Sequence, residues 1–266
     1  MLIILLGVLV GLLLGLTGAG GGILAIPALT LGLGWTLLEA TPVALLAVGM
    51  AAAVGALDGL RKGLVRYKAA GLMAGAGWLA SPVGLYLAKL LPAAALMVLF
   101  GAIMMFVSGR MFRQAADGCS EIDAAHGKNC RINPDTGRLV WDTKCSTTLA
   151  CIGAVSGLLT GLLGVGGGFL IVPAFRRFSD VPMHGIVATS LMVVALVSLG
   201  TLAHLLYQGV SLSGEASVFI GATLAGMIAG RLIAPKVSGK RMQQGFAVVC
   251  AVVSVLMMGK VALILL

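Results

Sequence analysis

The sequence contains a repeat that relates its first half to its second half. The segment GLLLGLTGAGGGILAIPA (residues 11–28) returns as GLLTGLLGVGGGFLIVPA (residues 157–174), and the two agree at 12 of 18 positions. The same separation of 146 residues pairs Phe100 with Phe246. Internal repetition on this scale indicates two units of the same architecture. Any fold proposed for this chain must therefore place two similar halves against each other.

The repeat divides the chain into three parts, namely 1–113, a polar insert at 114–146, and 147–266. Within the insert, Asn133-Pro134-Asp135-Thr136-Gly137 is a strong turn signal before a short apolar run, which predicts a small β-hairpin. The insert also holds four residues of metal-binding type, whose spacing is too wide for zinc and predicts no metal: Cys119, His126, Cys130 and Cys145.

Both halves have the composition of a membrane protein. Hydrophobic residues make up 59% of the chain and charged residues 10%, with a mean hydropathy of +1.09. A soluble protein of this size cannot bury so much apolar surface. We therefore predict an all-α, polytopic helical membrane protein without nucleic-acid partners, since its net charge of +9 comes from short clusters between apolar segments. Spanning helices are predicted near 40–57, 69–90, 93–109, 183–206, 216–235 and 242–262.

The first segment of each half is interrupted by glycine. A helix over 2–16 is broken at 18–22, and only about 12 residues follow, too few to cross a hydrocarbon core of roughly 30 Å. Residues 147–178 repeat this pattern. Two topologies follow: each broken segment crosses the membrane, or it forms a re-entrant hairpin and the second half is inverted.

The distribution of positive charge favours the hairpins. In that topology all 18 basic residues except Lys89 and Lys260 lie on one side of the membrane, which the positive-inside rule makes the cytoplasmic side. The insert is then cytoplasmic. Five cysteines, with Cys151 and Cys250 inside apolar segments, argue against a disulfide framework.

The two glycine-rich breaks are candidate binding sites for an anion. Backbone at membrane depth is tolerated only inside protein or along a cavity, so we expect the breaks to face each other. The half-helix after each break presents unpaired N–H groups and the positive end of a helix dipole. The alternative is that the glycines only permit tight helix packing. The substrate-binding candidates in the breaks are Gly20, Gly21, Gly22, Gly166, Gly167 and Gly168.

Polar side chains in apolar segments extend this hypothesis. The hydroxyls of Thr17, Thr41, Thr189 and Ser190 are candidate ligands of the anion, or else bond to their own helix. Asp58 and His204 are 146 residues apart, and an inverted repeat places them at opposite ends of a transport path. Because a histidine gains a proton near neutral pH, we assign this pair gating or coupling roles, with helix termination as the alternative.

These residues resemble those of a known family. The paired LxGxGGGxLxVPA-type segments, the repeated half and the pair Thr189–Ser190 resemble the TauE/SafE family of bacterial transporters, over both halves of the chain. The resemblance implies export of sulfite, sulfoacetate or a related organosulfonate across the inner membrane. The first half has Thr41–Pro42 in place of Thr189–Ser190. This difference argues against a fully symmetric binding site.

Other functions fit the residues less well. The breaks match neither a dinucleotide-binding nor a phosphate-binding glycine motif, and Ser156 with His204 lacks the surroundings of a serine hydrolase. We therefore predict no enzyme, no catalytic residue, no cofactor and no metal. The alternatives to an anion transporter are a passive anion channel and a thiol-dependent carrier of sulfur compounds. Assembly into a homo-oligomer is compatible with the sequence.

Overall fold

The computed structural model describes residues 1–18, 21–116, 130, 141–179, 181–207, 214–233 and 239–265. These residues form helices and no strand, which confirms the all-α polytopic fold; the predicted β-hairpin at 133–141 lies almost wholly outside them. The helices are α1 (Leu2–Thr17), α2 (Gly21–Gly32), α3 (Leu37–Arg61), α4 (Tyr67–Leu90), α5 (Ala93–Ala116), α6 (Thr143–Leu163), α7 (Gly168–Phe178), α8 (Met183–Tyr207), α9 (Gly214–Ile233) and α10 (Gly239–Leu265).

Five helices of the described residues are long and apolar enough to cross a membrane. Four of them, in α3, α4, α8 and α9, match predicted spans. The fifth, Thr143–Leu163, was predicted as one arm of a broken segment. The other two predicted spans form α5 and α10, whose apolar parts are the shorter Ala93–Gly109 and Gln244–Gly259. Helices α5 and α6 also extend into the predicted insert, since α5 ends at Ala116 and α6 begins at Thr143.

Glycine seams join the two halves in a symmetric way. Helix α1 packs on α9 and α6 packs on α4 so closely that side chains are excluded. A Cβ atom on Gly11 would lie 2.0 Å from the carbonyl oxygen of Thr223, and one on Gly157 would lie 2.0 Å from that of Gly77. The two contacts are equivalent in the repeat, because Gly157 is 146 residues after Gly11 and Thr223 is 146 residues after Gly77. Small residues four apart allow such contacts between helices in a membrane, and here they hold each broken segment against the opposite half.

Equivalent helices run in opposite directions. In α5 and α10, Ser108 donates to the carbonyl of Ala247 (2.7 Å), and Ser254 donates to the carbonyl of Gly101 (2.8 Å). These two hydrogen bonds are also related by 146 residues, and they make α5 and α10 antiparallel. In α3 and α8, Gly49 lies against Ser198 and Gly59 against Ala188, so this pair is antiparallel as well. An inverted repeat requires equivalent helices to run in opposite directions, as these two pairs do.

The broken segments fold back on themselves. A Cβ atom on Gly32, the last residue of α2, would lie 2.4 Å from Cδ1 of Leu6 near the start of α1. At the end of α7, the carbonyl of Phe178 accepts a hydrogen bond from the N–H of Cys130 (3.0 Å), and Cys130 is bonded to Cys145 at the start of α6. Each segment therefore begins and ends on the same side of the bundle. This geometry supports hairpins over crossing segments.

Candidate functional site

The two glycine breaks meet near the middle of the antiparallel pair α3 and α8. A Cβ atom on Gly22 would lie 2.9 Å from Cγ1 of Val48 and 3.1 Å from the carbonyl oxygen of Val165. On the other side, a Cβ atom on Gly166 would lie 3.2 Å from Cγ1 of Val194 and 3.4 Å from Val48. The sequence predicted that the breaks face each other, and the structure brings them into contact around one valine of α3.

The second break is built from three glycines with positive φ. Gly164 follows α6 in the left-handed conformation (φ 70°), Gly166 has a φ of 77°, and Gly167 directly precedes α7 with a φ of 57°. Residues with a Cβ atom adopt this conformation only at a cost. The turn reverses the chain and directs the N-terminus of α7 into the protein. The first N–H groups of a helix have no partner within it and favour negative charge.

Two serine hydroxyls lie against this second break. Ser198 on α8 has its Oγ 3.0 Å from a Cβ atom placed on Gly166, and Ser156 on α6 has its Oγ 2.2 Å from one placed on Gly167. Both serines are fully buried, and neither Oγ has a hydrogen-bond partner in the structure. Buried hydroxyls are nearly always bonded. The second break therefore has two hydroxyl donors that no described residue bonds.

The first break differs because Thr17 and Gly21 already form hydrogen bonds there. Thr17 donates to the carbonyl of Leu13 (2.7 Å), and its Oγ1 accepts the N–H of Gly21 (3.0 Å). A Cβ atom on Gly21 would lie 2.2 Å from the backbone nitrogen of Leu14, so this glycine is required for packing on α1. The predicted ligand Gly20 lies outside the described residues. Thr17, a predicted ligand, thus occupies one of the N–H groups that were predicted to bind the anion.

The other predicted hydroxyls are divided between the break and distant positions. Thr41 lies beside the second break, with its Oγ1 2.9 Å from a Cβ atom placed on Gly164. Thr189 instead donates to Gly185 and accepts the N–H of Arg66 (3.1 Å), which fixes the loop before α4. Ser190 donates to the carbonyl of Val187 (2.9 Å). The hydroxyls of Thr189 and Ser190 thus form hydrogen bonds with backbone groups.

The structure also identifies the counterpart of Thr41. Gly18 lies against Val187, and Gly164 lies against Thr41, so these two contacts are equivalent in the repeat. The counterpart of Thr41 is therefore Val187, and the comparison of Thr41–Pro42 with Thr189–Ser190 was out of register. The site is asymmetric all the same, since a threonine faces one break and a valine faces the other.

Asp58 and His204 lie apart at the two ends of the bundle. Each occupies the last turn of its helix, α3 or α8, and these helices are antiparallel. Asp58 pairs with Lys62 (2.9 Å) one turn later and with Arg231 on α9 (3.2 Å); Arg231 also donates to the carbonyl of Gly55. Asp58 thus joins α3 to α9.

The cysteines correct an expectation. Cys130 and Cys145 form a disulfide across 15 residues, and both are buried, although the sequence argued against disulfides. Apolar segments do hold the two free cysteines of the described chain, Cys151 and Cys250. Within the described residues, no three His, Cys, Asp or Glu side chains come together in a way that would bind a metal ion.

Comparison with known proteins decides the family. The model of the sulfite exporter TauE/SafE family matches residues 3–257, nearly the whole chain. The chain belongs to the TauE/SafE family. The resemblance inferred from the doubled glycine segments is therefore confirmed. The protein that contains the two broken segments belongs to a family of membrane transporters.

Curated relatives carry names at the same level. A probable membrane transporter protein of Bacillus subtilis, YunE, is 30% identical over 77% of this chain and 78% of its own length. A probable membrane transporter protein of Xylella fastidiosa strain Temecula1 is 30% identical over 88% of this chain and 85% of its own. One from strain 9a5c is 32% identical over 73% and 69%. No solved structure matches the chain. These TauE/SafE relatives support membrane transport without specifying a substrate.

Sequence reasoning missed the two serines nearest the break. Ser156 was considered only as a hydrolase nucleophile, and Ser198 was not considered. The repeat contains a signal that would have found them, because residues 146 positions earlier are Val10 and Ala52. A polar residue in one half of a TauE/SafE repeat, opposite an apolar residue in the other, marks the place where the halves differ in chemistry.

Proposed function

We propose that this protein is a secondary transporter that exports a small sulfur-containing anion across the bacterial inner membrane. The candidate substrates are sulfite, sulfoacetate and related organosulfonates. The observation that carries the proposal is that the two glycine breaks meet near the middle of α3 and α8, where the N-terminus of α7 begins. The chain that contains them belongs to a family of transporters. Transporters commonly bind substrates where interrupted helices meet near the membrane midplane.

The chemistry of the break suits an anion held without a fixed cation. The atoms nearest to the break glycines belong to valines, leucines, threonines and serines, and none of them is charged within the described residues. A helix N-terminus attracts negative charge through its N–H groups and dipole. A neutral site of this kind binds an anion and still releases it, because no buried lysine or arginine holds the anion in place.

The proposed topology is an inverted repeat with two re-entrant hairpins. The antiparallel directions of α3 and α8 and of α5 and α10 support it, as do the hairpin ends at Gly32 and Phe178. The charge distribution places residues 114–146 and the cluster Arg61, Lys62, Arg66 and Lys68 in the cytoplasm. The disulfide opposes this orientation, since disulfides persist in oxidising compartments. We retain the cytoplasmic orientation, which requires Cys130 and Cys145 to be thiols in the cell.

The proposed driving force is a proton gradient or the membrane potential. His204 and Asp58 at opposite ends of the bundle are the candidate coupling groups. A thiol-dependent carrier would need a free thiol at the breaks, whereas Cys151 lies exposed on α6 and Cys250 lies buried on α10. Neither cysteine is among the nearest neighbours of the break glycines.

Flux measurements on purified protein in liposomes test the proposal. Sulfite, sulfoacetate, sulfate and thiosulfate are compared in parallel, with and without a pH gradient and with and without a potential. A transporter shows saturable flux that is accelerated by substrate on the opposite side. A passive channel shows flux without such acceleration, and a thiol carrier loses flux when all five cysteines become serine. Absence of flux for every anion contradicts the proposal.

A further inference from the structure

We propose that the substrate's SO₃ group is bound by one half of the repeat only, through the hydroxyls of Ser156 and Ser198 and the N–H groups of α7 that precede Leu170, whose own N–H is bonded to the carbonyl of Gly167. This inference rests on the proposed function, because it takes the transported anion as the ligand. The observation behind it is the pair of fully buried hydroxyls that have no partner and lie against Gly166 and Gly167.

The lack of a partner is unusual for this protein. A serine or threonine inside a helix can donate to the carbonyl of its own preceding turn. Thr160, Thr201 and Thr223 do so, with distances of 2.8 Å each. Ser108 and Ser254 donate across the α5–α10 interface. Among the buried side-chain N and O atoms of the described residues, only the hydroxyls of Ser156 and Ser198, both next to the second break, lack a partner.

The two hydroxyls lie beside the same turn. Ser156 lies on α6, Ser198 lies on α8, and the turn before α7 contacts them at Gly167 and Gly166. Two O–H donors on separate helices thus lie next to the N-terminus of a third helix. The three oxygens of an SO₃ group, either free sulfite or the end of a sulfonate, can accept from donors on several sides. Donors of this kind bind anions strongly because one partner of each hydrogen bond is charged.

The first half has no equivalent donors. The positions related to Ser156, Ser198 and Thr160 are Val10, Ala52 and Leu14. These three side chains are buried and apolar, and the N–H of Gly21 is already bonded to Thr17. The two hairpins therefore have the same shape and different chemistry. One hairpin binds the anion, and the other closes the site.

The closed site also fits a transport cycle. Ser156, Ser198, Gly166 and Gly167 are all buried, so in this conformation the donors are reached from neither side. Alternating access needs movement of one unit against another around a fixed site. The α6–α7 hairpin carries Ser156 and the N–H groups, while α8 carries Ser198. Movement of that hairpin relative to α8 would open the site.

The test compares unsatisfied serines with satisfied ones. Ser156→Ala and Ser198→Ala each remove a hydroxyl without a partner, whereas Ser108→Ala and Ser254→Ala each remove a hydroxyl that donates between α5 and α10. For each purified protein, the affinity for sulfite and for sulfoacetate is measured by calorimetry, and thermal unfolding is measured without ligand. We expect Ser156→Ala and Ser198→Ala to weaken binding roughly ten- to hundredfold, the effect of one hydrogen bond to a charged group, and to unfold no earlier than the wild type.

The control variants give the opposite pattern. Ser108→Ala and Ser254→Ala should unfold earlier, since each removes a buried hydrogen bond between α5 and α10, and should bind both anions as the wild type does. Equal losses for sulfite and sulfoacetate in the break variants identify the SO₃ group as the recognised part. A loss for one of the two identifies that compound as the ligand.

Two outcomes overturn the inference. Wild-type affinity in both break variants places the anion elsewhere, even when liposome flux upholds the proposed function. Earlier unfolding of the break variants, to the same extent as the controls, assigns Ser156 and Ser198 a structural role. If wild-type protein shows neither binding nor flux for any anion tested, the proposed function itself fails.

Discussion

The two glycine breaks have nearly the same sequence and shape but differ in what surrounds them. Both follow a long helix held by a glycine seam against the opposite half, and both contain a glycine with no room for a side chain, Gly21 or Gly167. At the first break, Thr17 accepts the N–H of Gly21. Around the second, Ser156 and Ser198 are left without partners. The two halves of the repeat thus share the packing of their breaks. Among the described residues, only the second break has buried hydroxyl donors without partners.

The two hairpins also differ where their first and last residues come together. The second hairpin is fastened there by the Cys130–Cys145 disulfide and by the hydrogen bond from Cys130 to Phe178. The first hairpin begins at the described N-terminus, and its two ends meet through Leu6 and Gly32. Packing constraints are therefore shared between the breaks, whereas polar and covalent constraints are not. Each prediction below tests one part of this difference.

The largest effect is expected for the shared packing. In Gly167→Ala the new Cβ lies 2.5 Å from the carbonyl oxygen of Ser156 at a φ of 57°, and in Gly21→Ala it lies 2.2 Å from the nitrogen of Leu14. Overpacking against backbone atoms in both variants, with backbone strain added in Gly167→Ala, should cost more than about 3 kcal/mol. We expect both variants to lose the monodisperse peak in size-exclusion chromatography in detergent.

A matched pair of glycines provides the control. Gly75 and Gly221 are equivalent in the repeat and lie in helices with no atom near the position of a Cβ. Gly75→Ala and Gly221→Ala should leave the peak unchanged and stabilise the helix by about 0.5–1 kcal/mol. If Gly21→Ala and Gly167→Ala behave like these controls, the breaks do not share a packing constraint.

The second prediction concerns the disulfide, which only the second hairpin has. A bond that closes a loop of 15 residues stabilises a protein by about 3 kcal/mol. Cys130→Ser should therefore lower the unfolding temperature of oxidised protein, and a reductant should lower that of the wild type equally. Cys151→Ser, which removes an exposed free thiol, is the control.

The redox state of the same pair in cells tests the orientation. If the insert is cytoplasmic, rapid alkylation of intact cells with a permeant reagent should trap Cys130 and Cys145 as thiols. A pair found fully oxidised would place the insert on the opposite side of the membrane. The charge-based orientation would then be wrong for this chain, while the hairpin geometry would stand.

Most of the fold was predictable from the sequence because it depends on the repeat. The equivalence of Gly11 with Gly157 and of Ser108 with Ser254 is visible in the sequence, and the structure places both members of each pair in matching contacts. The hairpins followed from segment length and charge. A repeat reports which residues are equivalent, so it constrains architecture well.

The chemistry of the site was less predictable because it depends on contacts between distant residues. Whether a hydroxyl is free to bind a ligand is decided by its neighbours in space. Thr189 was a predicted ligand, yet it accepts the N–H of Arg66, 123 residues away. Ser156 and Ser198 become candidates only once their lack of partners is known. The sequence identified the breaks and could not show which of their polar groups were already bonded.

The third prediction tests the satisfied state of the first break. Thr17→Val keeps the shape of the side chain but leaves the buried N–H of Gly21 without its acceptor. An unsatisfied buried group costs about 1–3 kcal/mol, which should lower the unfolding temperature by several degrees. Anion affinity should stay at the wild-type value, in contrast to Ser156→Ala. A loss of affinity in Thr17→Val without a loss of stability would assign anion binding to both breaks.

The smallest effect on stability, and a specific effect on flux, is expected at the equivalent positions Asp58 and His204. Asp58→Asn breaks ion pairs that are 40% exposed at the Asp58 side chain, so it should cost less than about 1 kcal/mol. His204→Gln removes a side chain that can take up a proton, so it should flatten the dependence of flux on pH. His184→Gln changes an exposed histidine at the opposite end of α8 and should keep the wild-type pH profile. If His204→Gln keeps that profile too, both equivalent positions only end their helices, and the two halves differ in anion binding but not in coupling.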